Sequence, residues 1–472
     1  MLKKLIIIAT LWNVVILAQV TGDNLGRKLD SLTSSSFFDT AAISIDVFDL
    51  TAQKSVYQKN NKLLLHPASN LKVLTTSTAL LFLDKDFAFE TSLYYDGTII
   101  DSTLYGNLYF VGGCDPDFTT ADLQVLISSI KNLEINRIDG NIYGDVSMLD
   151  SLFWGNGWMW NDDPSTDFPY FTPLTINDNA VKVHVQATDI GNAPKVIVEP
   201  ATSFFKIDNL AKTENTGRTS LEVTRDFVQR RNDIIVKGII NPKDAVYSDE
   251  INVVYPEKYF LTLAKEEIEK LGISFIGDVS ISPLPEGTKH LFTFRRKFTD
   301  VINNLNKQSD NLSAEMTLRA LAFKYYGKPA TPENGIRLVD SLISLAGMDP
   351  RNYRIVDGSG VSHYNLVSTE LLNADLKYFY SSQPELYNTL AQSFPIAGVD
   401  GTLKRRMKGT LAENNVRAKT GTISGVASLS GFLTTKNNHQ LSFSMMIQNH
   451  VRKTYRAVYF LDRICELLAE LE

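Results

Sequence analysis

The stretch H-P-A-S-N-L-K at residues 66–72 constrains the fold most strongly, because it leads directly into a run that predicts a helix over 73–82. Apolar residues recur there at three- and four-residue spacing, which predicts that one face of the helix is buried. Ser69 therefore lies at the first turn, where backbone N–H groups lack intrahelical partners and the helix dipole is positive. Lys72 follows three residues later, over the same face. The spacing pairs a hydroxyl with an amine, and a serine hydroxyl needs such a neighbouring base to act as a nucleophile.

The S-x-x-K pattern alone is weak, because ordinary serine and lysine usage gives about one or two chance matches in a chain this long. Ser128 and Lys131 form a second match inside an apolar-periodic run, 123–133, which is typical of an ordinary amphipathic helix. Ser203 and Lys206 form a third match, in sequence that favours β-structure. We interpret both of these further matches as structural.

Two further motifs distinguish Ser69 from the other matches. S-D-N occupies residues 309–311, between two helical patterns, and K-T-G-T occupies residues 419–422, at the end of a predicted strand. The order S-x-x-K, S-D-N, K-T-G is the signature of penicillin-binding proteins and class A β-lactamases. Joint occurrence of the three motifs in suitable contexts is far less probable by chance than any single match.

Composition limits the classes of function. The chain has 472 residues, 44% of them hydrophobic, and at roughly 150 residues per domain this length suggests about three domains. A net charge of -6 and the lack of a long basic block argue against nucleic acid as the main partner. The six histidines show no ligand spacing, which disfavours a metalloenzyme, and we expect no cofactor. Cys114 and Cys465 are interpreted as two unpaired buried thiols, with a disulfide as the alternative.

Residues 1–20 have the features of a removable signal peptide. Lys3 and Lys4 precede an apolar run over 5–17, which is short for a membrane span, and Ala18 suits a cleavage site. We therefore expect an exported protein of the periplasm or cell envelope, with membrane association that is at most peripheral.

Patterns of apolar residues predict most of the secondary structure. The run 42–50 alternates as a half-buried strand, and 181–240 holds short alternating strands that indicate a small β domain. Other strands are predicted at 55–57, 87–95, 107–111, 137–146, 273–281, 416–418, 426–434 and 440–448. Helices are predicted at 121–133, 256–271 and 455–471. The last three strands read as an antiparallel meander that leads into the final helix.

The motifs and several shorter blocks give the chain a resemblance to the S13 peptidases, the D-alanyl-D-alanine carboxypeptidase/endopeptidase family typified by penicillin-binding protein 4. The blocks are G-G-C-D-P at 112–116, I-N-D-N at 176–179, D-G-S-G-V-S at 357–362 and A-G-V-D-G-T-L at 397–403. Ser309 follows Lys72 by 237 positions, where a one-domain β-lactamase would have far fewer. Cys114 and Val361 look like variations on the family's usual residues.

The resemblance implies an α+β fold with a β-lactamase/penicillin-binding transpeptidase-like domain, an antiparallel sheet with helices, that carries two inserted domains. On this interpretation the transpeptidase-like domain is discontinuous and takes 21–86 and 288–472. An inserted α+β domain takes 87–172 and 243–287, and a small β domain nested within it takes 173–242.

The resemblance also implies catalytic roles for four residues. Ser69 would be the acylated nucleophile, Lys72 the base that activates it, and Ser309 the group that relays a proton to the leaving amine. Asn311 would hold Lys72 and the substrate amide. Burial and the positive charge of Lys419 would lower the pKa of Lys72, which must be neutral part of the time to accept a proton.

The K-T-G-T segment is expected to bind the substrate. Lys419 and Thr420 would bind the terminal carboxylate, and Gly421 and Thr422 complete the substrate-binding set. The backbone N–H groups of Ser69 and Thr422 would form the oxyanion hole, where one donor is typically worth about 10²–10³ in rate.

The function implied by the resemblance is that of a serine D-Ala-D-Ala carboxypeptidase and DD-endopeptidase. It would hydrolyse peptidoglycan stem peptides and cross-links through an acyl-enzyme on Ser69 and would be inhibited covalently by β-lactams. A serine β-lactamase is the nearest alternative, but the chain lacks the E-x-x-L-N pattern that carries the deacylating Glu of class A enzymes. A slow-acylating penicillin-binding sensor or scaffold is a third hypothesis, and the complete motifs argue against lost catalysis.

Overall fold

The structure is a computed structural model that describes residues 24–84 and 86–472. The predicted signal peptide at 1–20 lies outside the described residues. Within these two ranges no helix is long and apolar enough to cross a membrane.

The helices and strands are named here in chain order. The helices are α1 (24–33), α2 (Lys72–Phe82), α3 (Thr120–Ser128), α4 (Pro256–Lys270), α5 (Phe298–Lys307), α6 (Asn311–Tyr326), α7 (Pro332–Leu345), α8 (Thr369–Ser382), α9 (Pro384–Ser393) and α10 (Tyr455–Ala469). The strands are β1 (Ala42–Asp49), β2 (Lys54–Lys59), β3 (Ala88–Tyr95), β4 (Thr98–Ile100), β5 (Thr103–Tyr105), β6 (Leu108–Val111), β7 (Arg137–Asp139), β8 (Ile142–Asp145), β9 (Ala180–Gln186), β10 (Lys195–Glu199), β11 (Ile207–Asn209), β12 (Lys212–Thr213), β13 (Ser220–Arg225), β14 (Ile234–Ile240), β15 (Val246–Asn252), β16 (Ser274–Ile276), β17 (Val279–Ile281), β18 (Lys289–Lys297), β19 (Arg417–Ile423), β20 (Val426–Thr434) and β21 (Gln440–Gln448).

The described chain divides into two compact units. The first holds the residues up to Asp84 together with Ile302–Asp310 and Ile336–Glu472, and the second holds residues 86–301 and Asn311–Gly335. The division into a discontinuous domain, an inserted domain and a nested domain stays a prediction. One strand that the sequence assigned to the discontinuous domain, β18, pairs with β3 inside the second unit.

The first unit is built on a five-stranded antiparallel sheet with the order β19-β20-β21-β1-β2. The C-terminal meander of β19, β20 and β21 agrees with the sequence prediction. The N-terminal strand β1 joins this meander, and Ala42 pairs with Gln448 at one end of the ladder. The prediction that β1 is half-buried was wrong, because both of its faces are covered.

The two faces of this sheet differ in chemistry. One face carries the apolar residues of β1, β20 and β21, such as Ile45, Leu429 and Phe443, which pack against α10 and α1. The opposite face is polar although it is also buried. On that face Ser44 bonds Thr369 at the start of α8, at 2.7 Å between the hydroxyl oxygens, and Ser430 bonds Ser444 at 2.8 Å.

The second unit contains several sheets of three to five strands around one apolar core. The strand predicted at 137–146 is two strands, because β7 pairs in the sheet β16-β7-β5-β4 and β8 in the sheet β17-β8-β6-β3-β18. The strand predicted at 273–281 divides in the same way into β16 and β17. Each predicted strand therefore crosses from one sheet to the next. Alternation did not reveal β15, which pairs antiparallel with β9 in the β-rich region.

Candidate active site

Ser69 lies in a 3₁₀ turn, Ala68–Leu71, that precedes α2 directly. We predicted that Ser69 lies in the first turn of the α-helix. In the structure Ser69 precedes the α-helix, and Lys72 is the first α-helical residue. We predicted that one face of this helix is buried. The burial is more extensive, because every residue from Lys72 to Ala79 is buried.

The side chains of Ser69 and Lys72 contact each other as the spacing predicted. Lys72 Nζ lies 3.0 Å from Ser69 Oγ, and both side chains are buried. The same Nζ donates a hydrogen bond of 2.7 Å to the main-chain carbonyl of Ser359. Because the carbonyl accepts one N–H, a neutral amine at this position keeps its lone pair for the serine hydroxyl proton.

The K-T-G strand, β19, brings Lys419 and Ser309 together. Lys419 is fully buried, and its Nζ donates to Ser309 Oγ at 2.8 Å and to the Thr420 carbonyl at 2.9 Å. Ser309 has a left-handed backbone with a φ of 66° at the end of the loop after α5. The first unit thus joins S-x-x-K, the serine of S-D-N and K-T-G, which are far apart in the sequence.

The two lysines influence each other electrostatically. Burial is the main cause that lowers the pKa of Lys419 well below its ordinary value, and the positive charge of Lys72 lowers it further. Two ammonium groups in one dehydrated region are unfavourable, whereas a bound anion would restore the charged form of Lys419. The lowered pKa expected for Lys72 stays a prediction.

The remaining residues of K-T-G-T differ in exposure. Thr420 is buried and its hydroxyl bonds that of Thr402 at 2.7 Å. Thr422 is exposed on β19, which is an edge strand of the sheet. Gly421 faces the turn that carries Ser69 so closely that a Cβ there would lie 2.9 Å from the Pro67 carbonyl oxygen. Only glycine lets the strand approach the turn at this distance.

Two polar side chains hold the turn that carries Ser69 against the sheet. The side-chain amide of Asn70 donates to the Lys419 carbonyl at 2.6 Å and accepts from the Leu429 N–H at 3.0 Å, so it bridges β19 and β20. Ser428 Oγ donates to the Pro67 carbonyl at 2.7 Å. Sequence reasoning did not single out these two residues. Serines that alternate with apolar residues along β20 are the signal that could have found Ser428.

The A-G-V-D-G-T-L block holds the segment that carries Ser309. Asp400 accepts a hydrogen bond from Lys307 Nζ at 2.7 Å, and its other oxygen accepts the Ile396 N–H at 2.8 Å. Thr402 of the same block contacts Thr420. The block therefore connects the end of α5 with the K-T-G strand, which its turn-like sequence alone did not indicate.

Asn311 belongs to the other compact unit, since the division falls between Asp310 and Asn311. It is the first residue of α6, it is buried, and its Nδ2 donates to the Asp167 carbonyl at 2.6 Å. The role that the resemblance implies for it stays a prediction.

The two other S-x-x-K matches bond elsewhere. Ser128 Oγ donates to the Val125 carbonyl at 2.7 Å, and Ser203 Oγ donates to Glu266 at 2.6 Å. Both are exposed bonds on the second unit's surface. Cys114 and Cys465 are buried free thiols, as the sequence analysis favoured.

Comparisons with known proteins show the family to which the chain belongs. The sequence model of the D-Ala-D-Ala carboxypeptidase 3 (S13) family matches residues 25–462. D-alanyl-D-alanine carboxypeptidase DacB of Haemophilus influenzae is 30% identical over 89% of this chain and 91% of its own length. The D-alanyl-D-alanine carboxypeptidase of an Actinomadura species is 28% identical over 94% and 84%.

Solved structures give the same result. The crystal structure of penicillin binding protein 4 (dacB) from H. influenzae superposes with a TM-score of 0.82 at 27% identity, covering 93% of this chain and 99% of that one. The same protein complexed with a β-lactam superposes with a TM-score of 0.76 at 26% identity, covering 93% and 97%.

The close approach of β19 to the turn that carries Ser69 gives a stability prediction. Gly421→Ala should lower the free energy of unfolding of the first unit by about 1–3 kcal/mol, because the new methyl group overpacks the interface. Denaturant unfolding measures this change. Gly26→Ala is the matched control in the same unit, since a Cβ there meets no atom within 4 Å. If Gly421→Ala does not lower the free energy of unfolding relative to Gly26→Ala, β19 does not pack against the turn that carries Ser69 as closely as described.

Proposed function

Because the chain belongs to the D-Ala-D-Ala carboxypeptidase 3 (S13) family, we propose that Ser69 is the nucleophile of its serine carboxypeptidase activity and Lys72 the base that activates it. Family membership itself confirms the resemblance drawn from the motifs, and the match to penicillin binding protein 4 confirms the fold class. The observation that carries the residue assignment is the 3.0 Å contact between Lys72 Nζ and Ser69 Oγ.

Acylation begins when neutral Lys72 accepts the proton of the Ser69 hydroxyl. The oxygen then attacks the carbonyl carbon that precedes the terminal D-alanine and forms a tetrahedral intermediate. The backbone N–H groups of Ser69 and Thr422 are proposed to bind the developing oxyanion. The 2.7 Å bond from Lys72 to the Ser359 carbonyl supports this step, because it fixes the amine 3.0 Å from the Ser69 hydroxyl oxygen.

Collapse of the intermediate breaks the amide bond and leaves an acyl ester on Ser69. The departing D-alanine nitrogen needs a proton, and Ser309 is proposed to relay the one that Lys72 took from Ser69, which returns Lys72 to its neutral form. Lys419 Nζ donates to Ser309 Oγ at 2.8 Å, which holds this hydroxyl in place for the relay. Water then hydrolyses the ester and regenerates the Ser69 hydroxyl.

The substrate is proposed to bind along β19. An edge strand offers main-chain groups to an extended peptide, and Lys419 and Thr420 in the middle of this strand are suited to a carboxylate. Both D-Ala-D-Ala ends and D-amino-acid cross-links carry a carboxylate on the carbon that follows the scissile nitrogen. One site can therefore act as a carboxypeptidase and as a DD-endopeptidase on peptidoglycan peptides.

A β-lactam enters the same reaction as a substrate analogue. Attack by Ser69 opens the lactam ring, and the leaving nitrogen stays tethered to the acyl group. A relative, H. influenzae penicillin binding protein 4, has been crystallised with a β-lactam. Covalent inhibition of this chain by β-lactams is proposed on that basis.

Export is proposed from the N-terminal sequence, in which Lys3 and Lys4 precede the apolar run over 5–17. Protein recovered from the native cell envelope should begin near residue 20. N-terminal mass analysis measures this, and an intact Met1 on the envelope protein would overturn the proposal.

The nucleophile assignment predicts covalent labelling at Ser69. Incubation with penicillin should leave the adduct on the peptide that contains Ser69, and Ser69→Ala should abolish labelling. Ser128→Ala is the matched control, because Ser128 also stands in an S-x-x-K match but bonds only locally within α3. Peptide mapping by mass spectrometry reads the result, and an adduct that survives Ser69→Ala contradicts the assignment.

The carboxylate assignment predicts a change in substrate preference. A charge-assisted hydrogen bond contributes about 1.5–3 kcal/mol, so Lys419→Ala should cost about 10–150-fold in rate on a free-acid D-Ala-D-Ala peptide. Cleavage of the C-terminal amide of that peptide should change much less. Rates of wild type and variant on both substrates test this, and equal discrimination by the two proteins shows that Lys419 is not the anchor.

The same assignment predicts a pH dependence. Only protonated Lys419 binds the carboxylate, and its pKa is lowered by burial and by Lys72. The wild-type preference for the free acid should therefore decline as pH rises, below the range in which an ordinary lysine loses its proton. A preference that stays constant up to that range argues against Lys419.

A further inference from the structure

We propose that His66 is a positioning residue for the nucleophile, acting through the neutral tautomer that carries its proton on Nε2. The inference rests on the proposed role of Ser69 and extends it to a side chain outside the S-x-x-K, S-D-N and K-T-G motifs. His66 is three residues before Ser69, and its ring is buried.

The two ring nitrogens of His66 have different partners. Nε2 lies 2.7 Å from the main-chain carbonyl oxygen of Ser362, and Nδ1 lies 3.0 Å from the backbone nitrogen of Ala68. A carbonyl can only accept a hydrogen bond, so Nε2 carries the hydrogen. An amide N–H can only donate, so Nδ1 carries the lone pair. These two contacts together select one neutral tautomer.

The Nδ1 contact supports a strained backbone next to the nucleophile. Ala68 has a φ of 48°, a left-handed conformation that costs a residue with a Cβ about 1–3 kcal/mol. Because Ala68 precedes Ser69, this conformation sets the direction of the Ser69 N–H and side chain. Gly360 packs from the other side, where a Cβ would lie 2.1 Å from the Ala68 carbonyl oxygen.

The Nε2 contact ties the turn to the loop that also holds the base. In this loop, 357–362, the Ser359 carbonyl accepts from Lys72 Nζ and the Gly358 carbonyl accepts from the Thr75 hydroxyl at 2.6 Å. Asp357 fixes the loop by accepting the N–H groups of Gly360 and Ser362 at 2.8 and 2.7 Å. His66 therefore couples the nucleophile turn and the base to one rigid segment.

The surroundings of the ring disfavour its charged form. Burial is the main cause that lowers the pKa of His66 below its ordinary 6.5, the Ser362 carbonyl opposes this, His363 adds to it and Asp357 opposes it. The neighbour from β21 is uncharged, since Gln448 Oε1 accepts the His66 backbone N–H. Protonation would put a hydrogen on Nδ1 that faces the Ala68 N–H and would break the contact.

Three substitutions separate the two contacts. His66→Asn keeps an acceptor near Nδ1, His66→Gln keeps a donor near Nε2, and His66→Phe keeps the ring volume but neither contact. The measurement is the acylation rate constant with a chromogenic cephalosporin, normalised to the active sites titrated with penicillin. His66→Phe should lower it about 10–100-fold. His66→Asn should restore most of the loss, because it retains the bond to Ala68, and His66→Gln should restore less.

The pH profile supplies a readout that a purely structural role would not move. Below about pH 6.5, the ordinary histidine pKa, wild-type acylation should fall as Nδ1 takes up a proton, in addition to the fall that protonation of Lys72 causes. The acid-side fall should be smaller in His66→Asn than in wild type and unchanged in His363→Gln. An equal acid-side fall in wild type and His66→Asn overturns the proposal.

The outcomes distinguish this proposal from the assignment of Ser69. His439→Gln is the control for replacing a histidine of the first unit, since His439 bonds Asp49 on β1. Unchanged normalised rates in all His66 variants, with labelling still lost in Ser69→Ala, overturn the role of His66 alone. Labelling that survives Ser69→Ala overturns the nucleophile itself. If His66→Phe does not fold, the comparison of His66→Asn with His66→Gln decides, and equal loss in both overturns the tautomer argument.

Discussion

The first unit depends on supplying hydrogen-bond partners to two buried lysine side chains. Lys72 and Lys419 are fully buried, and a buried amine is costly unless its polar atoms have hydrogen-bond partners. Their partners are the hydroxyls of Ser69 and Ser309 and the main-chain carbonyls of Ser359 and Thr420. The turns and the strand that supply these partners must therefore lie at hydrogen-bonding distance from the two lysine nitrogens, which explains why the connecting segments are held by short polar contacts.

The sheet of the first unit helps to position these groups because one of its faces is apolar and the other is polar. Its apolar face supplies the core with α10, while serines at alternate positions make the opposite face polar. Ser428 uses this face to hold the Pro67 carbonyl, and Ser44 uses it to hold the start of α8. The alternation of serine with apolar residues would ordinarily indicate a solvent-exposed face. Here it indicates a face covered by other polar structure.

Local features of the fold and of the site were predictable from the sequence, and long-range contacts were not. The Ser69–Lys72 contact follows from helical spacing, and the meander of β19 to β21 follows from alternation. The partnership of β1 with β21 joins the two ends of the chain and leaves no local signal. The hydrogen bond from Lys72 to Ser359 uses a main-chain carbonyl as its acceptor. Any residue type could supply that carbonyl, so the sequence gives no signal for the bond. The family blocks at 357–362 and 397–403 are segments that make long-range contacts of this kind. Their sequences do not predict which residues they contact.

The position of β1 in the middle of the first sheet has a consequence for synthesis. Residues 42–49, which precede the turn that carries Ser69, pair along their whole length with 441–448. Pairing between strands so distant in the sequence slows folding, because the long intervening loop must first be closed at an entropic cost. The sheet that brings Ser69 and the two lysines together can therefore be completed only after synthesis has reached residue 448.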